Sequence, residues 1–205
     1  MQPTNSPLCR LQLASSSPYR RELLSRLRIP FDVVAPDVDE TPYPGELPTA
    51  LSTRLALAKA QAVACTGTWT IGSDQVATLD GLPIGKPGHH EAARLQLQAS
   101  SGRTVHFHTA LALVDFDRGL SRVERIDTRV RFKELSAAEI EAYLLAEKPY
   151  DCAGSAKCEG LGIALLEAIE GDDPTALIGL PLIRLSSWLR EWGWNPLTGV
   201  PQDNP

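Results

Sequence analysis

The chain has 205 residues, of which 43% are hydrophobic and 22% charged, with a formal net charge of −5. This composition is that of a globular protein with a sizeable core and excludes disordered, collagen-like and coiled-coil chains. The acidic balance also argues against a general nucleic-acid binder, which needs a basic face to neutralise phosphates. Cys9, Cys65, Cys152 and Cys158 have the spacing of neither a zinc site nor a thioredoxin-like motif and are read as reduced thiols. No run reaches the roughly 18 apolar residues of a membrane span, and the opening MQPTNSPLCR lacks a signal-peptide core. A soluble, cytoplasmic protein with no membrane and no nucleic-acid partner is expected.

In chain order, Leu11 to Ala14 reads as a buried strand and Pro18 to Leu27 as a helix with Leu23, Leu24 and Leu27 on one face. FDVVAP reads as a second strand, and the acidic, proline-rich DVDETPYPGELP as irregular. A helix is expected from Pro48 to Cys65, carrying Arg54 and Lys59. WTIGSDQVATLDG reads as a strand broken at Gly72 and closed by a turn at Asp80 and Gly81, with LPIGKP returning as a hairpin arm. After a helix from His90 to Ala99, RTVHFHTALALVDF and SRVERIDTRVRFK form an antiparallel pair. SAAEIEAYLLAEK is an amphipathic helix whose Ser136 and Glu139 form a capping box. GLGIALLEAIEG reads as a strand, and Pro174 to Trp192 as a last helix capped by Asp173. The tail from Asn195 is expected to be loose. Strands interleaved with helices make an α/β fold with a mixed sheet, in a single domain over residues 8–197 with flexible termini at 1–7 and 198–205.

Several stretches carry residues suited to chemistry. In LASSSPYRRELL, Ser17 is a natural N-cap and Pro18 a natural first helical residue, leaving free N–H groups beside the Ser15 and Ser16 hydroxyls. Such a helix start attracts anions. Arg20 and Arg21 sit where the helix dipole disfavours cations by about 0.3 to 1 kcal/mol each, and a bound phosphate would reverse that sign. Solvated arginines and an anion site both fit these residues. Asp74, in GSDQV, is an acid within an apolar strand, either a strand-end cap or a paired carboxylate that acts as a base or metal ligand. DVDE reads as a solvated acidic loop unless it faces Asp74, and Lys59 and Lys86, each alone, read as surface charges. His106 and His108 share a strand face without a third metal ligand in view, and His89 and His90 read as exposed at a helix start. Together the set supplies cations and N–H donors for a triphosphate, carboxylates for a divalent metal, and a base for water.

LASSSPYRRELL, DVDET, RLALAKA, IGSDQV, GKP and CAGSAKCEGLGI occur in the order and spacing of the Maf-like nucleotide pyrophosphatases. The resemblance runs from about Leu11 to Leu197 and is strongest to the YceF-type branch, which hydrolyses 7-methyl-GTP to 7-methyl-GMP and diphosphate. It implies an elongated mixed twisted sheet flanked by helices, two lobes around a central active-site cleft, and a homodimer. It makes Asp74 the proton acceptor for water attacking the α-phosphorus, assisted by Lys59 and Lys86. Ser15, Arg20 and Arg21 would bind the phosphates, and Tyr19, Gln75 and Glu159 would select the base. Glu40 and Asp74 would hold magnesium or manganese. Tyr19 departs from the tryptophan familiar at its position in that branch. It keeps a face on which a cationic 7-methylguanine can stack. Two other functions stay open on this reading: hydrolysis of dTTP or UTP, as in the other Maf branch, and nucleotide binding as a regulator of cell division.

Overall fold

The computed structural model describes residues 10–199. Its elements in order are β1 (Arg10–Ala14), α1 (Pro18–Ser25), β2 (Phe31–Val34), α2 (Pro48–Val63), β3 (Thr68–Leu79), β4 (Leu82–Ile84), α3 (His90–Ser100), β5 (Thr104–Asp115), β6 (Leu120–Phe132), α4 (Ala137–Glu147), β7 (Leu166–Glu170) and α5 (Leu182–Glu191). The seven strands form one mixed sheet in the order β2-β1-β3-β5-β6-β7, with β4 hairpinned back onto the end of β3. β1 runs parallel to both β2 and β3, while β3, β5, β6 and β7 pair antiparallel. The expected α/β fold with a mixed sheet is the one observed.

The long strands β3 and β5 serve two cores on one face. At one end Ile71, Leu111 and Leu113 pack with Leu23 and Leu24 of α1 and Leu185, Trp188 and Leu189 of α5. At the other, Ala77, Val105 and Phe107 pack with Leu97 of α3 and Ile140 and Leu144 of α4. All of these β3 and β5 positions are odd-numbered, as the alternation of a strand requires. The even-numbered Ala110, Ala112 and Val114 turn to the opposite face, where Ala56 and Ala60 of α2 cover them. Between the two cores the inner face is polar: Ser73, Gln75 and Thr109 lie there, all bonded to main-chain oxygens of residues 176–179.

The pairing along the outer edge of β3 is interrupted. β1 partners it from Thr68 through Gly72, and β4 partners it from Ala77 through Leu79. Residues 73–76 have no strand beside them on that edge, so the sheet itself leaves a notch, and Asp74 and Gln75 sit in it. Ser15–Ser17 continue from the carboxyl end of β1 into one side of the notch, a place where α/β sheets commonly bind ligands.

Gly72 does not break β3, as its sequence context suggested. Its role is to admit α2: a Cβ built there would lie 2.1 Å from the Ala56 carbonyl oxygen and 2.8 Å from the Ala60 nitrogen. The segment 160–171 is a strand only from Leu166, because Leu161–Leu165 form a 3-10 turn whose start is held by Glu147 Oε2 accepting from Leu161 N–H at 2.9 Å. The last helix begins at Leu182 rather than Pro174, since Pro181 holds the preceding residue out of the helical region. Asp173 still caps that helix from a distance, Oδ2 accepting from Ile183 N–H at 2.7 Å. The tail is ordered at its start, where Asn195 is buried and its carbonyl accepts from Thr198 and Gly199 N–H. Of the termini expected to be flexible, 1–7 and 200–205 lie outside the described residues, as does Cys9.

Gly72→Ala should destabilise the protein by about 1 to 3 kcal/mol or more, because the added methyl meets helix backbone that cannot rotate away. Urea unfolding checks this, and a stability within about 0.5 kcal/mol of the parent would show that α2 rides farther from the sheet.

Candidate active site

The notch in β3 opens into a cavity of about 490 Å³ lined by Ser15, Arg20, Glu40, Lys59, Asp74 and Lys86, among others. The walls come from the β1–α1 turn and the start of α1, the loop before α2, α2 itself, β3, the turn after β4, and the segments 151–159 and 177–179. Tyr19, Gln75 and Glu159 line the same cavity. Nine of the ten residues singled out from the sequence are thus brought together. Arg21 is not: it is exposed and does not line the cavity, because successive residues of a helix diverge by about 100° and Arg20 takes the inward direction.

At the centre is an ionic triad. Lys59 Nζ lies 2.7 Å from Asp74 Oδ1 and 2.7 Å from Glu40 Oε1. Lys59 and Asp74 side chains are only 8% and 9% exposed, whereas Glu40 is 61% exposed. The acidic loop therefore does not merely face water; it reaches over α2 and closes the triad. Arg54, five residues before Lys59 on α2, steadies that loop by a bidentate pair with Glu46 and by donating to the Thr41 carbonyl. Burial pushes the Asp74 carboxyl above its ordinary range, and the charge and hydrogen bond of Lys59, with the charge of Arg20, pull against that rise. Arg20 is shifted down by burial while Asp74 and Glu40 draw it back up.

Ser17 caps α1 as expected, accepting from Arg20 N–H at 3.4 Å, and Ser15 Oγ accepts from Ser17 N–H at 3.1 Å. No acidic residue occupies the first turn of α1, so its positive end is uncompensated. Arg20 Nε donates to the Gly179 carbonyl at 2.9 Å, which aims the guanidinium along the cavity wall. Gly179 has φ +123, a conformation that L side chains rarely adopt. On the inner face Gln75 Nε2 lies 2.8 Å from Thr109 Oγ1 and 3.0 Å from each of the Ala176 and Leu177 carbonyls. Its amide nitrogen is fully engaged in holding that loop.

Among the described residues no group of three His, Cys, Asp or Glu side chains is placed to hold a metal. Glu40 Oε1 and Asp74 Oδ1 both meet Lys59 Nζ, which occupies the point between them, and their remaining oxygens, completed by phosphate oxygens and water, are a donor set that suits a hard divalent cation. His108 is bonded to Asp127 and Thr78, and His90, expected to be exposed, lies between Tyr150 and Glu141. Cys65, Cys152 and Cys158 are free thiols.

Sequence reasoning missed Asp151, Cys152 and Gly179, which also line the cavity. Asp151 and Cys152 immediately precede the AGSAKC stretch and face Tyr19; the acid beside a cysteine was a signal that went unread. Gly179 acts through its carbonyl, which no side-chain pattern announces.

A family model described as Maf-like protein matches residues 10–192. Curated relatives named 7-methyl-GTP pyrophosphatase include one from Burkholderia thailandensis, 62% identical over 98% of this chain and 95% of that protein. Another, from Bordetella pertussis, is 60% identical over 94% and 96%, and one from Cupriavidus pinatubonensis is 58% identical over 93% and 97%. No helix among the described residues is long and apolar enough to cross a membrane.

The triad predicts the titration of Asp74. Its carboxyl resonance should have a midpoint above the usual value of about 3.9, and Lys59→Met should move that midpoint higher still by removing the favourable charge. Carbon-detected NMR titration checks both, and a midpoint unchanged by Lys59→Met would remove the ion pair from the account.

Proposed function

We propose, from the premise that this chain belongs to the Maf-like protein family, that it hydrolyses 7-methyl-GTP to 7-methyl-GMP and diphosphate. The observation that carries the reading is the buried Asp74, held by Lys59 in a cleft whose other walls supply Arg20, Lys86 and the serines at the start of α1. A nucleotide substrate accords with a cytoplasmic setting.

In the reaction Asp74 takes a proton from water as the water oxygen attacks the α-phosphorus; the bond from that phosphorus to the bridging oxygen breaks, and diphosphate leaves. A base of this kind contributes roughly 10²- to 10⁴-fold. The raised pKa of Asp74 brings its basicity closer to neutral pH, while Lys59 keeps it ionised. Arg20, Lys59 and Lys86, with Ser15 and the positive end of α1, stabilise the charge that accumulates on the leaving diphosphate. Arg21, outside the cavity, contributes to the local field rather than to a contact. Glu40 and Asp74 would hold magnesium or manganese, which when bound neutralises phosphate charge.

Tyr19 offers its face to the base, and a cationic 7-methylguanine adds a cation–π component to the stack. Glu159 accepts from the guanine N1–H and amino group. Gln75, its nitrogen committed to the 176–177 carbonyls, has its carbonyl oxygen left for the base.

A panel of nucleoside triphosphates with diphosphate detection tests the reading: 7-methyl-GTP should be preferred, and a preference for dTTP or UTP would contradict it. In the same assay Asp74→Asn should lose about 10²- to 10⁴-fold in kcat while still binding nucleotide. Unchanged turnover would remove Asp74 as the base.

A further inference from the structure

The cavity contains one contact that joins its two sides and has no part in the phosphate chemistry. Tyr19 Oη, on the first turn of α1, donates to Asp151 Oδ2 at 3.1 Å, linking residues 132 positions apart. Both residues line the cavity. We propose that Asp151 is a positioning residue for the nucleobase, its carboxylate fixing the Tyr19 ring as the platform on which the base rests. The inference rests on the proposed function only in taking Tyr19 as the residue that meets the base.

Three observations support it. Asp151 is a firm anchor, because the Tyr150 carbonyl beside it accepts from Gly88 N–H at 2.9 Å and the Tyr150 hydroxyl is bonded to His90 Nδ1 at 3.0 Å. The segment is thereby braced to the turn that carries Lys86. Tyr19 is held in its protonated, donating form, since burial and the neighbouring Cys152 and Asp151 all raise its pKa. The Cys152 thiol, itself pushed up to about 11 by burial, lies 3.8 Å from Tyr19 Oη and 3.6 Å from Asp151 Oδ1, so that thiol and phenol both meet the Asp151 carboxylate.

The surroundings leave few other anchors for the ring. Lys157 Nζ stands 6.0 Å from the ring centroid, but its charge is held by Glu147 at 3.1 Å. A half-buried ring bonded only at its hydroxyl depends on that bond for its orientation. Loss of the bond lets the ring sample other rotamers, and each must be given up again when a base binds. The cost falls on substrate binding and leaves the reacting phosphorus untouched.

The test is a double-mutant cycle of Tyr19→Phe and Asp151→Ala, run with the nucleotide the parent protein turns over fastest. Each single substitution should raise KM roughly tenfold with kcat held within about twofold, and the double variant should be no worse than either single. Effects that multiply to roughly a hundredfold in the double variant would overturn the proposal, since Asp151 would then act independently of the phenol. A fall in kcat with KM unchanged would overturn it too. Asp151→Glu keeps an acceptor and should recover part of the KM, which a merely misfolded loop would not. A parent that prefers dTTP or UTP would contradict the proposed function and still leave the cycle readable, so the two failures are distinguishable.

Discussion

A carboxylate buried on an unpaired strand edge is the constraint around which this molecule is arranged. Burying Asp74 to 9% exposure disfavours its ionised form, and Lys59, from the helix on the outer face, offsets this with a cation at hydrogen-bond distance. Lys59 reaches it because α2 lies against the sheet, and α2 can lie there because residue 72 has no side chain. The alanines at 56, 60, 110 and 112 serve the same end, keeping helix and sheet close over a run of small side chains. The ion pair is thus bound to the backbone geometry of two elements, and it leaves the far side of Lys59 for Glu40.

The notch that houses Asp74 depends in turn on how the sheet is wound. β1 stops at Ala14 and β4 begins pairing only at Ala77, so the edge between them is free for a ligand. The inner side of the same stretch is closed by the loop 176–179, tied down through Ser73, Gln75 and Thr109. That loop is held in place by Asp173, which accepts from Thr175 and from the start of α5. Its Gly179 carbonyl then orients Arg20. A single chain of hydrogen bonds therefore runs from the C-terminal helix to the cation facing the site. The two hydrophobic cores lie at either end of it and allow a polar middle without a polar core.

Much of this was legible in the sequence where the cause is local. The Ser17 cap with Pro18, the Ser136 and Glu139 capping box, and the alternating hairpin of β5 and β6 each depend on residues within a few positions of one another, and each is present. The candidate site was legible as a set of residue types, and the resemblance supplied its members. What could not be read was direction and distance. Arg20 and Arg21 look equivalent as letters, yet the helix turns one inward to Gly179 and the other to water. Gly72 looks like a breaker, although its meaning lies in a helix packed across it. The extent of α5 was overestimated because its cap, Asp173, lies ten residues away. The Tyr19–Asp151 bond spans 132 residues and left only an adjacent acid and cysteine as its trace.

In the proposed reaction Asp74 directs water at the α-phosphorus, and isotope placement reads that step directly. Turnover of 7-methyl-GTP in ¹⁸O-water, followed by ³¹P NMR or mass spectrometry of both products, should place the heavy oxygen in 7-methyl-GMP and none in the diphosphate. Label in the diphosphate would mean attack at the β-phosphorus, and release of orthophosphate would mean attack at the γ-phosphorus. Either result would contradict the placement of the base described here.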